Sequence, residues 1–209
     1  MSGPDFENLR RAMVSNQLRT NKVTDAAVLA AMGAVPRERF AGADQAGVCY
    51  RDTLVPLGEG RALNPPIATG RLLNAAQPQI GEKVLVVGSA TGYVAALLEE
   101  MGCAVTALEE SPALVARAQV ATVEGPLAAG WPQGAPYSLI YIDGAVERIP
   151  DTLVDQLAEG GRLVGAIVER GVSRLVIGRR AANGFGITAF ADVETATLPG
   201  FAPAPAFTF

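Results

Sequence analysis

The chain has 209 residues, 49% of them hydrophobic and 18% charged, with a formal net charge of -4 and no histidine. That length and apolar content suit one globular α/β domain with a small elaboration, and the scattered basic residues offer no stripe that would neutralise a phosphate backbone, so neither nucleic acid nor a membrane surface is an expected partner. The missing imidazoles exclude Ser-His-Asp and Cys-His nucleophile systems and a zinc site built from histidines.

In chain order, "MSGPDFENLRRAM" lacks the apolar core of a signal peptide, and no run of about 18 apolar residues follows. The expected setting is therefore cytoplasmic. "DFENLRRAMVSNQLRTN" puts Phe6, Leu9, Met13 and Leu18 close to one helical face, and "VTDAAVLAAMGAVP" predicts a second helix with Thr24 or Asp25 as its N-cap and Pro36 as its stop. The Gly- and Pro-rich stretch from "RERF" to "LLNAA" predicts irregular, partly strand-like chain that passes into a helix near Ile67. Long connections of this kind in compact domains often carry function. Cys49 and Cys103 read as buried free thiols.

From Lys83 the pattern turns to β-α-β. "KVLVVG" suits a parallel strand buried on both faces, "TGYVAALLEEMG" a helix closed by Gly102, and "AVTALEE" a second strand. "SPALVARAQ" starts a helix with Ser111 as N-cap and Pro112 in its first position. "YSLIYID" predicts a strand, "IPDTLVDQLAEGG" a helix ending in glycine, and "RLVGAIVE", "SRLVIGRR" and "GITAFAD" three more strands. This alternation implies a doubly wound sheet with ligands at the C-terminal strand ends. The tail "LPGFAPAPAFTF" is too Pro-rich for a helix, and its Phe207 and Phe209 are expected to dock on the body or to fray.

Gly88 and Gly92 bracket the turn after the first parallel strand, with Ser89, Ala90 and Thr91 between them, and Glu109 follows 21 residues after Gly88 at the end of the next strand. Backbone N–H groups at such a turn favour electron-rich ligand groups, and a carboxylate in that place accepts both hydroxyls of an adenosine ribose. The same residues also read as a tight strand-to-helix connection beside a solvated Glu109.

The ordered set "MVSNQLRTNKVTDAAVLAAMGAVPRERF", "YRDTLVPLGEGRALNPP", "VLVVGSATGY" and "GWPQGAPYSLIYIDGAVERIPDTLVDQLAEGGRLV" resembles the protein-L-isoaspartate O-methyltransferase family from about residue 8 to about 180. The resemblance implies a Rossmann-like class I S-adenosylmethionine-dependent methyltransferase: a seven-stranded mixed sheet with helices on both faces plus N-terminal helices. Residues 1–80 would then form the N-terminal helices and acceptor-side loop, and 81–209 the nucleotide-binding sheet, of a single domain. It further implies S-adenosylmethionine as methyl donor, S-adenosylhomocysteine as product, and an isoaspartyl carboxylate of a peptide or protein as acceptor; it is silent on oligomeric state. Such a carboxylate, with a reference pKa of about 4, is already ionised at neutral pH and needs no general base. By the same resemblance, the Gly88–Gly92 turn faces the methionine portion and Glu109 the ribose.

Several positions depart from the family pattern. Val86 stands where the family has an acid that holds the methionine amine, Ala90 where it has a glycine, and Gly125, Pro126 and Leu127 where it has Gly-Asp-Gly against the adenine. In the acceptor loop, Asn64 replaces a serine that faces the acceptor carboxylate; it also reads as a turn residue capping its own backbone before Pro65. Ser89, Thr91, Glu110 and Asp143 are candidate substitutes for the missing polar contacts. Two functions follow as expectations: isoaspartyl methyl transfer, or a degenerate relative that binds cofactor weakly or not at all and serves as a binding or regulatory module. A nicotinamide-dependent oxidoreductase shares the corner but explains neither the N-terminal helices nor the stretch from "GWP" to "GGRLV".

Overall fold

A computed structural model describes residues 4–202. Helix α1 (Phe6–Ala12) opens on Asp5, whose carboxylate accepts from the Asn8 amide, and runs on through a π-helical stretch, Met13–Leu18, and a 3-10 turn, Arg19–Asn21. A π turn bonds residues five apart. It therefore brings Met13 and Leu18 onto one buried face while Leu9, from the face expected of a regular helix, stays 37% exposed. In α2 (Ala26–Ala34) the cap is Asp25, which accepts from the amides of Ala27 and Val28.

The irregular stretch contains an antiparallel hairpin, β1 (Val55–Gly58) and β2 (Arg61–Leu63), followed by α3 (Pro66–Ala76). Next come β3 (Lys83–Val87), α4 (Tyr93–Glu100), β4 (Ala104–Glu109), α5 (Pro112–Val115) and β5 (Thr122–Glu124). The chain closes with β6 (Tyr137–Val146), α6 (Asp151–Val154), β7 (Leu157–Glu169), β8 (Val172–Ala181) and β9 (Gly184–Asp192). The large sheet has seven strands in the order β5-β4-β3-β6-β7-β8-β9. Strands β3 to β7 pair in parallel, and β8 and β9 add antiparallel.

Two helices are shorter than expected. Ser111 caps the Leu114 amide as predicted, but α5 makes a single turn because the Gln119 amide is drawn away to the Thr91 carbonyl at 3.0 Å. The helix foreseen through "IPDTLVDQLAEGG" ends at Val154, and Gly160 and Gly161 lie inside β7. There the Gln156 carbonyl accepts from the Tyr137 amide, and its side chain bonds the backbone of Trp131, Ala129 and Thr152. Those bonds turn the chain into the sheet one residue later. Phe207 and Phe209 lie outside the described residues.

Side chains alternate across the central strands. Val84, Val86, Leu139 and Tyr141 pack with Met13, Val28, Met32, Leu72 and Leu97 from α1 to α4, so the N-terminal helices and the sheet share one core. Leu85, Val87, Ile140 and Ile142 face the other way, onto Leu127, Leu153, Leu198 and Phe201. Among the described residues this second face has only the one-turn α6 over it as a regular helix; loops and the chain beyond β9 supply the rest. Cys49 and Cys103 are buried and unpaired, and burial pushes both thiols up to about 11. Leu85→Ala is expected to lower the unfolding free energy by about 2 to 5 kcal/mol, the range for truncating a fully buried leucine, as read from urea denaturation.

Candidate active site

The C-terminal ends of β3, β4 and β6 meet the hairpin β1–β2 and the chain beyond β9, and four buried charges gather there. Arg37 and Glu109 are fully buried, Arg61 is 5% exposed and Asp143 is 7% exposed. Burying an ionised group costs several kcal/mol unless it is paired and hydrogen-bonded, so the bonds each one makes decide the shape of the site.

Glu109 ends β4. Its two oxygens accept from Arg61 Nη1 at 2.7 and 2.8 Å, from the Ala90 amide at 2.8 Å, and from the amides of Glu110 and Ser111 at 3.0 and 3.1 Å. A carboxylate has about four lone-pair sites; Glu109 is saturated from within the chain. Arg61, carried by β2, also donates through Nη2 to the Gly88 carbonyl at 2.7 Å.

The turn keeps the conformation expected of a glycine corner. Gly88, Ala90 and Gly92 have φ of 77°, 49° and 97°. Ala90 thus stays left-handed at a cost of about 1 kcal/mol, and its Cβ does not push the backbone aside. Four of the turn amides, however, are committed: Gly88 and Ser89 donate to the Leu108 carbonyl, Ala90 to Glu109, and Gly92 to the Ser89 carbonyl. Thr91 Oγ1 donates to the Phe40 carbonyl at 2.7 Å, and Ser89 Oγ is buried with no hydrogen-bond partner among the described residues. A Cβ added to Gly88 would lie 2.9 Å from both Arg61 Nη2 and Leu198 Cδ1, so those two side chains fill the space over the turn.

Leu198 arrives on the segment after β9, which lies along the end of β6. The Ala145 amide donates to the Ala196 carbonyl at 2.7 Å, and the Leu198 amide donates to the Ala145 carbonyl at 2.8 Å. Asn64 clasps this segment to β6: its Nδ2 donates to Asp143 at 2.8 Å, and its Oδ1 accepts from the Ala196 amide at 2.8 Å. Its side chain thus bonds across the fold rather than to its own turn. The Asn64 carbonyl accepts from Arg37 Nη2 at 2.6 Å, while Arg37 Nε donates to the Cys49 carbonyl at 2.6 Å and its guanidinium lies 4.7 Å from the centre of the Tyr93 ring.

Burial pushes Asp143 up to about 6, against the opposing pull of the Asn64 bond and of Arg61 and Arg37. Val86, in place of a polar residue, is fully buried in the first core. Beside the corner an open groove of about 620 Å³ runs between Glu110, Pro112, Glu124 and Pro126. Among the described residues no group of three or more metal-ligating side chains occurs, and no helix is long and apolar enough to cross a membrane.

The structure brings Gly88 to Gly92, Glu109, Asn64 and Asp143 to one place. It adds Arg37, Arg61 and Leu198, which the sequence reading did not single out. Arg61 stands in the "GEGRALN" stretch of the long irregular segment, but a charged residue in a hairpin turn carries no sign of burial.

Five parallel strands with two added antiparallel ones, a left-handed glycine corner after the first and an acid at the end of the second, define the class I S-adenosylmethionine-dependent methyltransferase fold. The more particular assignment comes from relatives. The family model "Protein-L-isoaspartate(D-aspartate) O-methyltransferase (PCMT)" matches residues 8–193, and the chain belongs to that family. A protein-L-isoaspartate O-methyltransferase from Gloeobacter violaceus is 40% identical over 162 residues, 73% of this chain and 79% of that one. One from Methylorubrum extorquens is 37% identical over 205 residues, 93% of this chain and 90% of its own length. Among solved structures, a protein-L-isoaspartate O-methyltransferase superposes with a TM-score of 0.77 at 22% identity, over 93% of this chain and 66% of that chain. A Plasmodium falciparum protein of the same description, in complex with S-adenosyl-L-homocysteine, gives 0.74 at 19% identity, over 94% and 99%. These two share the fold.

The residues do not fit an S-adenosyl ligand in the conformation described. The carboxylate that would meet its ribose is saturated, four of the turn amides are engaged, and Arg61 and Leu198 stand over Gly88. Asp143 supplies the testable electrostatic signature of this packed site. Its folded-state pKa lies above the unfolded value of 3.8, so the folded protein holds the proton more tightly, and the penalty for ionising it is absent below about pH 4 and complete above about pH 6. The stability of Asp143→Asn relative to the wild type is expected to rise by on the order of 2 kcal/mol between pH 4 and pH 7.5, measured by urea denaturation across that range.

Proposed function

We propose that the protein is a protein-L-isoaspartate O-methyltransferase, transferring a methyl group from S-adenosylmethionine to the carboxylate of isoaspartyl residues in damaged proteins. The observation that carries this reading is the family match across residues 8–193, which takes in the N-terminal helices, the acceptor loop and the sheet together. The chemistry suits a chain without histidine, because the acceptor oxygen is ionised at neutral pH and the protein has only to bring the reactants into line and exclude water. On this reading the protein is one cytoplasmic domain, with residues 1–80 on the acceptor side and 81–209 forming the nucleotide sheet. Glu109 and the Gly88–Gly92 turn are the cofactor's side and Asn64 the acceptor's. Glu109 and the turn are engaged with each other and with Arg61, and Asn64 with Asp143 and Ala196, in the conformation described, so the reaction belongs to a rearranged site.

A second reading has an observation of its own. The Arg61 guanidinium lies across Glu109 at 2.7 Å, which favours a relative that keeps the fold and has given up the cofactor to serve as a binding or regulatory module. One assay separates the two. With S-adenosylmethionine labelled in the methyl group, the wild-type protein is expected to place base-labile label on an isoaspartyl peptide and none on the aspartyl counterpart. No label from either the wild type or Arg61→Gln, under conditions where a known isoaspartyl methyltransferase works, overturns the first reading in favour of the second.

A further inference from the structure

The groups closing the corner come from opposite ends of the chain: Arg61 from the hairpin and Leu198 from the segment beyond β9. We propose that together they form an internal plug, an autoinhibitory contact in which the Arg61 guanidinium takes the place of the ribose hydroxyls on Glu109 and the Leu198 side chain covers Gly88. A nucleotide ligand enters only when both withdraw. The inference rests on the methyltransferase reading for the identity of the ligand, and on geometry for the rest.

Three observations carry it. The contacts are specific: one guanidinium spans both Glu109 oxygens and the Gly88 carbonyl, the two points where a carboxylate and a backbone edge border the turn. The covering segment has few hydrogen bonds: among the described residues the backbone contacts of Ala196 and Leu198 with Ala145, and the Asn64 bond to Ala196, tie it to β6, and the packing of Leu198 and Phe201 in the second core supplies the rest. The closed state is also imperfect. Arg61 Nε, Ser89 Oγ and Thr195 Oγ1 are buried with no hydrogen-bond partner among the described residues. Unpaired buried polar atoms disfavour the arrangement that buries them, so closure leaves the corner with bonding capacity that an entering polar ligand would use.

If the open form is a minor population, the apparent dissociation constant is the intrinsic one divided by the open fraction, and loosening the plug must tighten binding. The test is calorimetry of the full chain with S-adenosylhomocysteine, comparing wild type with Arg61→Gln and Leu198→Ala, each shown to unfold cooperatively. Binding that tightens by about 30-fold or more in Arg61→Gln, with a smaller gain in Leu198→Ala, is the expected result. Equal affinity in all three proteins overturns the plug and leaves the methyltransferase reading intact. No binding up to millimolar ligand in either variant overturns it too, since something other than Arg61 and Leu198 then excludes the nucleotide. Tight binding by Arg61→Gln without methyl ester formation supports the plug and sinks the acceptor reading. Should Arg61→Gln fail to fold, Leu198→Ala decides by affinity, and amide exchange at Leu198 in that variant must speed up when ligand saturates it; unchanged exchange overturns the proposal.

Discussion

Glu109 is a carboxylate with no contact with water, placed there by the strand that carries it. In β4 the last three residues, Ala107 to Glu109, are all buried, because β3 and β5 flank them in the sheet and the turn after β3 lies over their end. A buried carboxylate without a cation would hold a large desolvation penalty. The rest of the corner is arranged around removing that penalty. Three backbone amides converge on it, from the glycine turn and from the start of α5, and one guanidinium completes the set. Removing one partner of such a pair costs about 3 to 5 kcal/mol, so β1–β2, the turn and α5 are held in register by a single residue.

A second carboxylate repeats the problem at lower stakes. Asp143 ends the regular part of β6, where the register with β7 breaks between Tyr141 and Ala145. Burial holds its proton up to about pH 6, and the Asn64 bond and the nearby arginines pull the other way without cancelling it. Asn64 has a structural duty here as well: one amide joins the hairpin's end, the β6 terminus and the chain after β9. Arg37 extends the same web toward the N-terminal helices through Cys49 and Asn64. Two cations and two anions are thus buried within one neighbourhood, so the charge is balanced without a ligand.

The scaffold was legible in the sequence for reasons that are local. Apolar runs bounded by glycine identify β3, β4 and β6, and the Asp25 and Ser111 caps satisfy amides only two or three residues away. What escaped was set by distant partners. The π turn that buries Leu18 differs from an α turn by one residue and leaves no compositional mark. The helices at Pro112 and Asp151 stop early because Gln119 and Gln156 make bonds across the fold. Asn64 was singled out from the sequence, yet its bonds to Asp143 and Ala196 join segments 79 and 132 positions away. Arg61 was invisible for the same reason, since its meaning lies in Glu109, 48 positions on.

The departures from the family pattern then form one set rather than several independent losses. Val86 removes a carboxylate from a strand and returns that position to the core. Ala90 keeps the left-handed turn of a glycine and directs its amide to Glu109. Pro126 takes the place of an acid and begins the turn that buries Leu127. Each of these residues keeps the geometry of the corner without adding a charge to it, and Arg61 supplies a cation to the acid that ends β4. Substitutions that had merely drifted would leave Glu109 buried and unpaired, at a cost comparable to a large share of a domain's net stability of about 5 to 15 kcal/mol. A chain that retains this acid in the core must therefore retain its internal cation as well, and any ligand for the corner has to compete with a partner tethered to the same molecule.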